Sequence, residues 1–276
     1  MLRATHHAGG PALTITASVA GLTVYLDNWA VIELAKHNPE RRRRFVNAVR
    51  SGIDLLFSVT NVSELIGPKG KSFDAVQSFL NEIGPFWVPV ELNPFKVIER
   101  ERKGLGAESC VAEDFMREYV RERTRSYLKG SGPIIDVSDD FFRLGAVMDW
   151  ISQADVLRLR SAEFDDVLRK IRTRTNPPWL DRSFREFNPS ARTTFTCFNL
   201  LKTLIVESKQ YAIKKGDGLD FCHASIASAF ASFAALDKNW KRRVDDMPKP
   251  NRLARTYYGP ELDSMVGDME YALATR

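Results

Sequence analysis

The chain has 276 residues, 44% hydrophobic and 27% charged, with Lys+Arg 40 against Asp+Glu 35 and a net charge of +5. This composition excludes a disordered chain and, because no apolar run approaches the ~18 residues a span requires, an integral membrane protein. At this length folding buries about 75% of the surface of the unfolded chain, so one large domain, or a domain carrying a big insertion, needs no disulfide or metal staple.

Residues 1–21 read as a flexible N-terminal segment. Its apolar stretch, residues 13–22, is interrupted by Thr14, Thr16 and Ser18, follows a single basic residue and lacks a small-x-small cleavage pattern, so no secretory signal is expected. Leu22 to Leu26 is a β-favouring run that stops at Asp27, and Trp29, Ile32, Glu33 and Ala35 follow at helical spacing. A second helix is predicted over 40–50, with Phe45, Val46 and Val49 on its apolar side, then a buried strand over 53–60. Thr60 or Asn61 can cap the next helix, which carries Val62, Leu65 and Ile66 and ends at Gly67-Pro68. Phe73, Val76, Phe79, Leu80 and Ile83 predict another helix, followed by a strand over 86–90.

From about 94 to 190 the alternation gives way to charged amphipathic segments around 112–128, 139–159 and 161–172 and a loop over 175–189, an all-helical insertion. Helices over 194–214 and 219–230, strands over 231–236 and 253–258, and a terminal helix from Pro260 complete the chain. The expected fold is α/β: a mainly parallel sheet covered by helices on both faces, built from 22–93 and 191–276, with 94–190 inserted.

Asp27 ends the first strand, Glu64 lies in the helix after the second, Asp220 begins a late helix and Asp237 ends a late strand. In open α/β sheets ligands bind beyond the carboxyl ends of the strands. The strand reading puts Asp27 and Asp237 there, and the helices of Glu64 and Asp220 can start from the same rim. Converging acids repel one another, which raises their pKa values and costs stability unless a cation neutralises them. Carboxylate oxygens without clustered Cys or His select Mg²⁺ or Mn²⁺ over zinc, and such a site can activate water and steady charge on a phosphodiester. Taken singly, Asp27 and Asp220 read as helix caps, Glu64 as a solvated residue and Asp237 as a turn former. Their common position relative to the strand ends favours the site.

The pieces Thr23-Val-Tyr-Leu-Asp27-Asn28, Ser58-Val-Thr60-Asn61-Val-Ser-Glu64-Leu65, Asp220-Phe-Cys-His223-Ala224-Ser-Ile-Ala227 and Ala234-Ala-Leu-Asp237-Lys238 resemble, in this order, those of the PIN-domain family. Its members are metal-dependent nucleases that include many toxins of bacterial toxin-antitoxin pairs. The resemblance covers roughly 22–90 and 194–258. It implies a PIN-like sheet, Asp27, Glu64, Asp220 and Asp237 as catalytic, metal-binding acids for Mg²⁺ or Mn²⁺, an RNA substrate, an antitoxin partner and a homodimer. It also implies that Asn28 and Thr60 orient the acids or a metal-bound water, although both serve equally well as caps. Asp217 is a spare acid nearby, but the spacing to His223 and Ala224 favours Asp220. Compact members lack the helical block, which leaves open a non-catalytic PIN-like module that binds protein or nucleic acid.

Two basic clusters can track phosphates: Arg41 to Arg44, and Arg117, Arg121 and Arg125, which share one helical face. Each phosphate neutralised on a single strand contributes about −0.7 to the salt slope of affinity. Either cluster reads equally as a solvated face, the second balanced by Glu118 and Glu122. Arg169, Lys170, Arg172 and Arg174 lie beside Trp179, which can stack on a base or anchor a loop. A sequence pI near 9.1 is compatible with a polyanionic partner without establishing one. Gly67 to Ser72 ends like a phosphate-binding loop, but Leu65 stands where that motif demands glycine. The histidines and cysteines form no zinc pattern, His223 reads as a packed residue, and no serine-nucleophile turn is present. Cys110, Cys197 and Cys222, odd in number and far apart, point to a reducing compartment, the cytoplasm.

Overall fold

The computed structural model describes residues 2–6, 13–17, 19, 21–66, 71–129, 143–152, 160–173, 192–202, 212–247 and 253–276. Near the N-terminus, where sequence suggests a flexible segment, Leu2–His6 (β1) and Leu13–Ala17 (β2) pair antiparallel. Alternation of Leu13, Ile15 and Ala17 with Thr14 and Thr16 has the two-residue period of a strand.

In chain order there follow Leu22–Leu26 (β3), Asn28–Lys36 (α1), Pro39–Arg50 (α2), Ile53–Ser58 (β4), Val59–Ile66 (α3), Lys71–Ile83 (α4) and Trp87–Val90 (β5). Five helices come next: Pro94–Arg102 (α5), Glu113–Lys129 (α6), Leu144–Ser152 (α7), Arg160–Thr173 (α8) and Arg192–Lys202 (α9). Asp217–Phe230 (α10), Phe233–Ala235 (β6), Lys238–Asp245 (α11), Arg255–Tyr257 (β7) and Leu262–Ala274 (α12) end the chain. Strands β3 to β7 form one wholly parallel sheet in the order β5-β4-β3-β6-β7.

Side chains alternate across the sheet, so each strand feeds two cores. Val24, Leu26, Leu55, Phe57, Phe233 and Ala235 pack beneath α1, α2, α4 and α12, with Tyr119 of α6 and Val147 of α7 joining them. On the other face Tyr25, Leu56, Val88 and Ala234 meet α5, α9, α10 and α11, with Leu168 of α8. The described part of 94–190 is helical apart from a bridge between Val90 and Val111. Its helices pack back on the sheet's own layers, α7 against α3 and α4, α8 against α10. Among the described residues no helix is long and apolar enough to cross a membrane. The three cysteines are free and buried, and burial pushes the thiols of Cys110 and Cys197 up to about 12, which leaves them unreactive.

Local chemistry accounts for the departures from the expected boundaries. Strand β4 stops at Ser58 rather than Thr60 because Ser58 itself caps α3. Its Oγ accepts from the Asn61 amide at 3.1 Å, and Asn61 Oδ1 accepts from the Ser58 amide at 3.1 Å, a reciprocal cap that neither Thr60 nor Asn61 provides alone. The helix expected over 194–214 does not reach Lys214, because residues 212–214 are irregular and Gly216 turns the chain at φ 99°. Helix α5, unforeseen in sequence, begins with Asn93 accepting from the Phe95 amide and Pro94 in the first turn. The expected loop over 175–189, with Trp179, and the Gly67 to Gly70 part of the phosphate-loop lookalike lie outside the described residues.

The arginine run of α2 is engaged within the fold. Arg41 pairs with Asp263 of α12 at 2.7 Å and with Glu33 of α1 at 3.4 Å, and Arg42 pairs with Glu82 of α4 at 2.7 Å. Arg43 pairs with Glu40 at 2.8 Å and Arg44 with Glu270 of α12 at 2.5 Å. With half-exposed partners, each such pair contributes at most about 1 kcal/mol. Arg41→Ala is therefore expected to lower stability in urea unfolding by up to about 1 kcal/mol and to leave nucleic-acid affinity unchanged; a weakened affinity with a shallower salt dependence would make the run a phosphate track instead.

Candidate functional site

The chain leaves β3 to build β4 and β5 on one side, and returns to place β6 and β7 on the other. The order reverses between β3 and β6, and the crevice beyond the carboxyl ends at such a reversal is where open α/β sheets bind ligands. Asp27 directly follows β3, and its backbone amide donates to the Ala235 carbonyl of β6 at 3.0 Å. Asp237 stands two residues beyond β6. Each caps the helix it starts: Asp27 Oδ1 accepts from the Asn28 amide at 2.7 Å, and Asp237 Oδ1 accepts from the amides of Asn239 and Trp240 at 2.7 and 3.1 Å. The cap reading therefore holds for both residues, at the rim where the sequence places a candidate site.

Glu64 reaches the rim from α3, which follows the neighbouring strand β4. Asp220 comes from the first turn of α10, the helix that leads into β6 and so starts at the sheet's carboxyl edge. A buried carboxylate from the helical block fixes that start: Asp165 of α8 accepts from the amides of Gly216 at 3.0 Å and Gly218 at 2.9 Å. Asp217 instead accepts from the Lys214 amide at 2.6 Å and closes the turn before α10, so Asp220 is the acid of this helix that meets the others.

The four acids sense one another. Burial pushes the Asp220 carboxyl up to about 7; His223 opposes the rise, and the charges of Asp27, Asp237 and Glu64 add to it. Asp27 is raised by burial, lowered by His223 and the Asn28 amide, and raised again by Asp237 and Glu64. Burial disfavours the charged form of His223, but the nearby carboxylates of Glu64, Asp27 and Asp220 outweigh it, so its pKa rises. Among the described residues no three His, Cys, Asp or Glu side chains are grouped closely enough to hold a metal ion as they stand. The donor chemistry nonetheless fits Mg²⁺ or Mn²⁺: four carboxylates at one rim, with Cys222 of α10 packed into the core away from metal-site duty.

Beneath the acids lies a buried polar network that sequence reading missed. Asn61 is fully buried; its Oδ1 accepts from Ser58 Oγ at 2.7 Å and lies 3.2 Å from the Tyr25 hydroxyl oxygen, and its Nδ2 donates to Asn28 Oδ1 at 3.3 Å. Asn28 Nδ2 in turn donates to Glu64 Oε2. Of the two expected orienting residues, Asn28 thus touches an acid, whereas Thr60 is half-buried in the first turn of α3 and its neighbour Asn61 makes the contacts. The signal available in sequence was a tyrosine in a buried strand, whose hydroxyl requires a partner. On α6, Arg117 is exposed, Arg121 pairs with Glu118 at 2.5 Å, and the Arg125 side chain lies outside the described residues.

Two consequences are measurable. Because the folded pKa of Asp220 lies above its unfolded value, its protonation stabilises the fold below the usual carboxylate range, and this contribution is lost as pH rises through about 7. In EDTA, urea unfolding is expected to lose roughly 2–4 kcal/mol over that window, and Asp220→Asn to flatten the loss; an unchanged pH slope in the variant would contradict the assignment. A Cβ at Gly218 would fall 2.4 Å from the Asp165 nitrogen and the Phe164 carbonyl carbon, so Gly218→Ala is expected to cost about 1–3 kcal/mol, and a variant as stable as wild type would show that α8 does not clamp α10.

Comparison with protein-family models, with curated proteins and with solved structures found no match in any of the three.

Proposed function

We propose that the chain is a PIN-like, metal-dependent nuclease of the cytoplasm that hydrolyses phosphodiester bonds in RNA, its helical block inserted between β5 and the late helices. The observation that carries this reading is the placement of Asp27 and Asp237 at the carboxyl ends of β3 and β6, where strand order reverses, with burial raising the pKa of Asp27 and of Asp220 beside them. A bound Mg²⁺ or Mn²⁺ would neutralise Asp27, Glu64, Asp220 and Asp237, activate a water for attack at phosphorus and offset the charge that develops there.

The chain's own residues supply the frame. Asp27 and Asp237 commit Oδ1 to a cap, which fixes each carboxylate on a rigid strand end and leaves Oδ2 for a ligand. Asn28 holds one oxygen of Glu64, and Asp165 locks the helix start that carries Asp220. By the same resemblance the proposal extends to a toxin role, with an antitoxin protein as partner and a homodimer as the working form. A second reading, an inactive PIN-like module that binds protein or nucleic acid, draws support from the absence of a grouped triad of ligands among the described residues.

Asp27→Asn separates the two. It is expected to reduce Mn²⁺-dependent RNA cleavage by about 100-fold or more while leaving the fold intact or more stable, since it removes a repelling charge. Undiminished cleavage by the variant would remove Asp27 from the chemistry, and a wild-type protein that neither cleaves RNA nor binds Mn²⁺ would favour the binding module.

A further inference from the structure

His223 is 3% exposed, and its Nε2 is a buried polar atom without a hydrogen bond, 3.7 Å from Glu64 Oε2. At that separation the contact is an ion-pair distance, longer than a hydrogen bond. The other ring nitrogen, Nδ1, is hydrogen-bonded to the Tyr25 hydroxyl. Tyr25, Asn61, Asn28, Glu64 and His223 therefore form a loop of side chains whose polar atoms lie within hydrogen-bonding distance of one another at every step but that between Glu64 and His223.

Proton accounting fixes the direction of the loop. Asn61 Oδ1 has two lone pairs, and it already accepts from the amide and the hydroxyl of Ser58 at 3.1 and 2.7 Å. The single Tyr25 proton is thereby directed to His223 Nδ1. A histidine that accepts at Nδ1 carries its own proton on Nε2. That N–H points to Oε2 of Glu64, the oxygen that also receives Asn28, while Oε1 has no protein partner among the described residues.

We propose that His223 is a positioning residue for Glu64: held in the Nε2–H form by Tyr25, it joins Asn28 in restraining Oε2 and leaves Oε1 free to meet a divalent cation. The inference rests on the reading of Glu64 as a site carboxylate. It assigns to the seventh residue of α10 a task that spacing alone left as packing, and makes Tyr25, on the opposite side of the imidazole, a remote member of the same device. Loss of such an outer partner typically weakens metal binding 10- to 100-fold.

The test has two arms, both on the full chain. Nitrogen-15 NMR of the imidazole in metal-free protein reads the tautomer: the Nε2–H form is expected, its resonance shifting in Glu64→Gln and its population falling in Tyr25→Phe. An Nδ1–H tautomer, or a resonance indifferent to Glu64→Gln, would overturn the inference whatever the site binds. Calorimetric titration with Mn²⁺ reads the consequence: His223→Leu is expected to weaken binding about 10-fold, His223→Gln, which retains a donor near Nε2, to restore most of it, and Tyr25→Phe to fall between. Equal Mn²⁺ affinity in wild type and a folded His223→Leu or Tyr25→Phe would overturn it. A wild-type protein that binds no Mn²⁺ defeats the metal reading of the site, and the tautomer arm then decides the loop by itself.

Discussion

The partial burial of carboxylates at the carboxyl edge of a parallel sheet is the constraint on which the proposed site depends. Asp27 and Asp237 are brought to that edge because the chain reverses its strand order between β3 and β6, and the amide of Asp27 is hydrogen-bonded to the end of β6. Neither residue can withdraw, since each caps the helix it begins. Burial and mutual charge then hold the protons of Asp27 and Asp220 more tightly than in water. A fold that keeps such a cost in place is conspicuous, because an uncharged cap of the Asn or Ser type would satisfy the same amides without it. On the proposed reading a divalent cation would relieve this cost, which is the physical basis of the proposed hydrolytic chemistry.

The acids are carried by a scaffold that reaches well beyond the sheet. Asp165 belongs to α8, in the stretch that looked like an insertion, yet its buried carboxylate receives two amides at the start of α10. Gly218 permits that approach, since a side chain there would collide with backbone. The helical block is thus mechanically joined to the position of Asp220. Ser58, Asn61 and Tyr25 form a buried polar cluster joined to the half-buried Asn28, in which each buried donor or acceptor must find a partner or cost the fold roughly 1–3 kcal/mol.

Much of this was legible from local pattern. The run of Leu22 to Leu26 ending in Asp27, the periodicity of Phe73 to Ile83 and the short strand before Asp237 all place their elements within a residue or two. These segments carry strong apolar periods and clear breakers, so local and tertiary preferences agree. Thr60 was misread because a reciprocal cap between Ser58 and Asn61 starts α3 two residues early, and sequence does not announce which of several adjacent polar residues will cap. The arginines of α2 looked like a phosphate track because their partners, Asp263 and Glu270, lie more than two hundred positions away along the chain. Asn61 and Tyr25 escaped for a similar reason: their value lies in contacts across strands, with His223 supplied by a helix from the far end of the sequence.

The central claim is that Asp27, Glu64, Asp220 and Asp237 act together on one divalent ion. A crystal of the protein soaked in Mn²⁺ and measured for anomalous scattering addresses it most directly. The expected result is a peak beyond the carboxyl ends of β3 and β6, within coordination distance of oxygens from at least three of these residues. A site without such a peak, with the same side chains well ordered and turned apart, would contradict it.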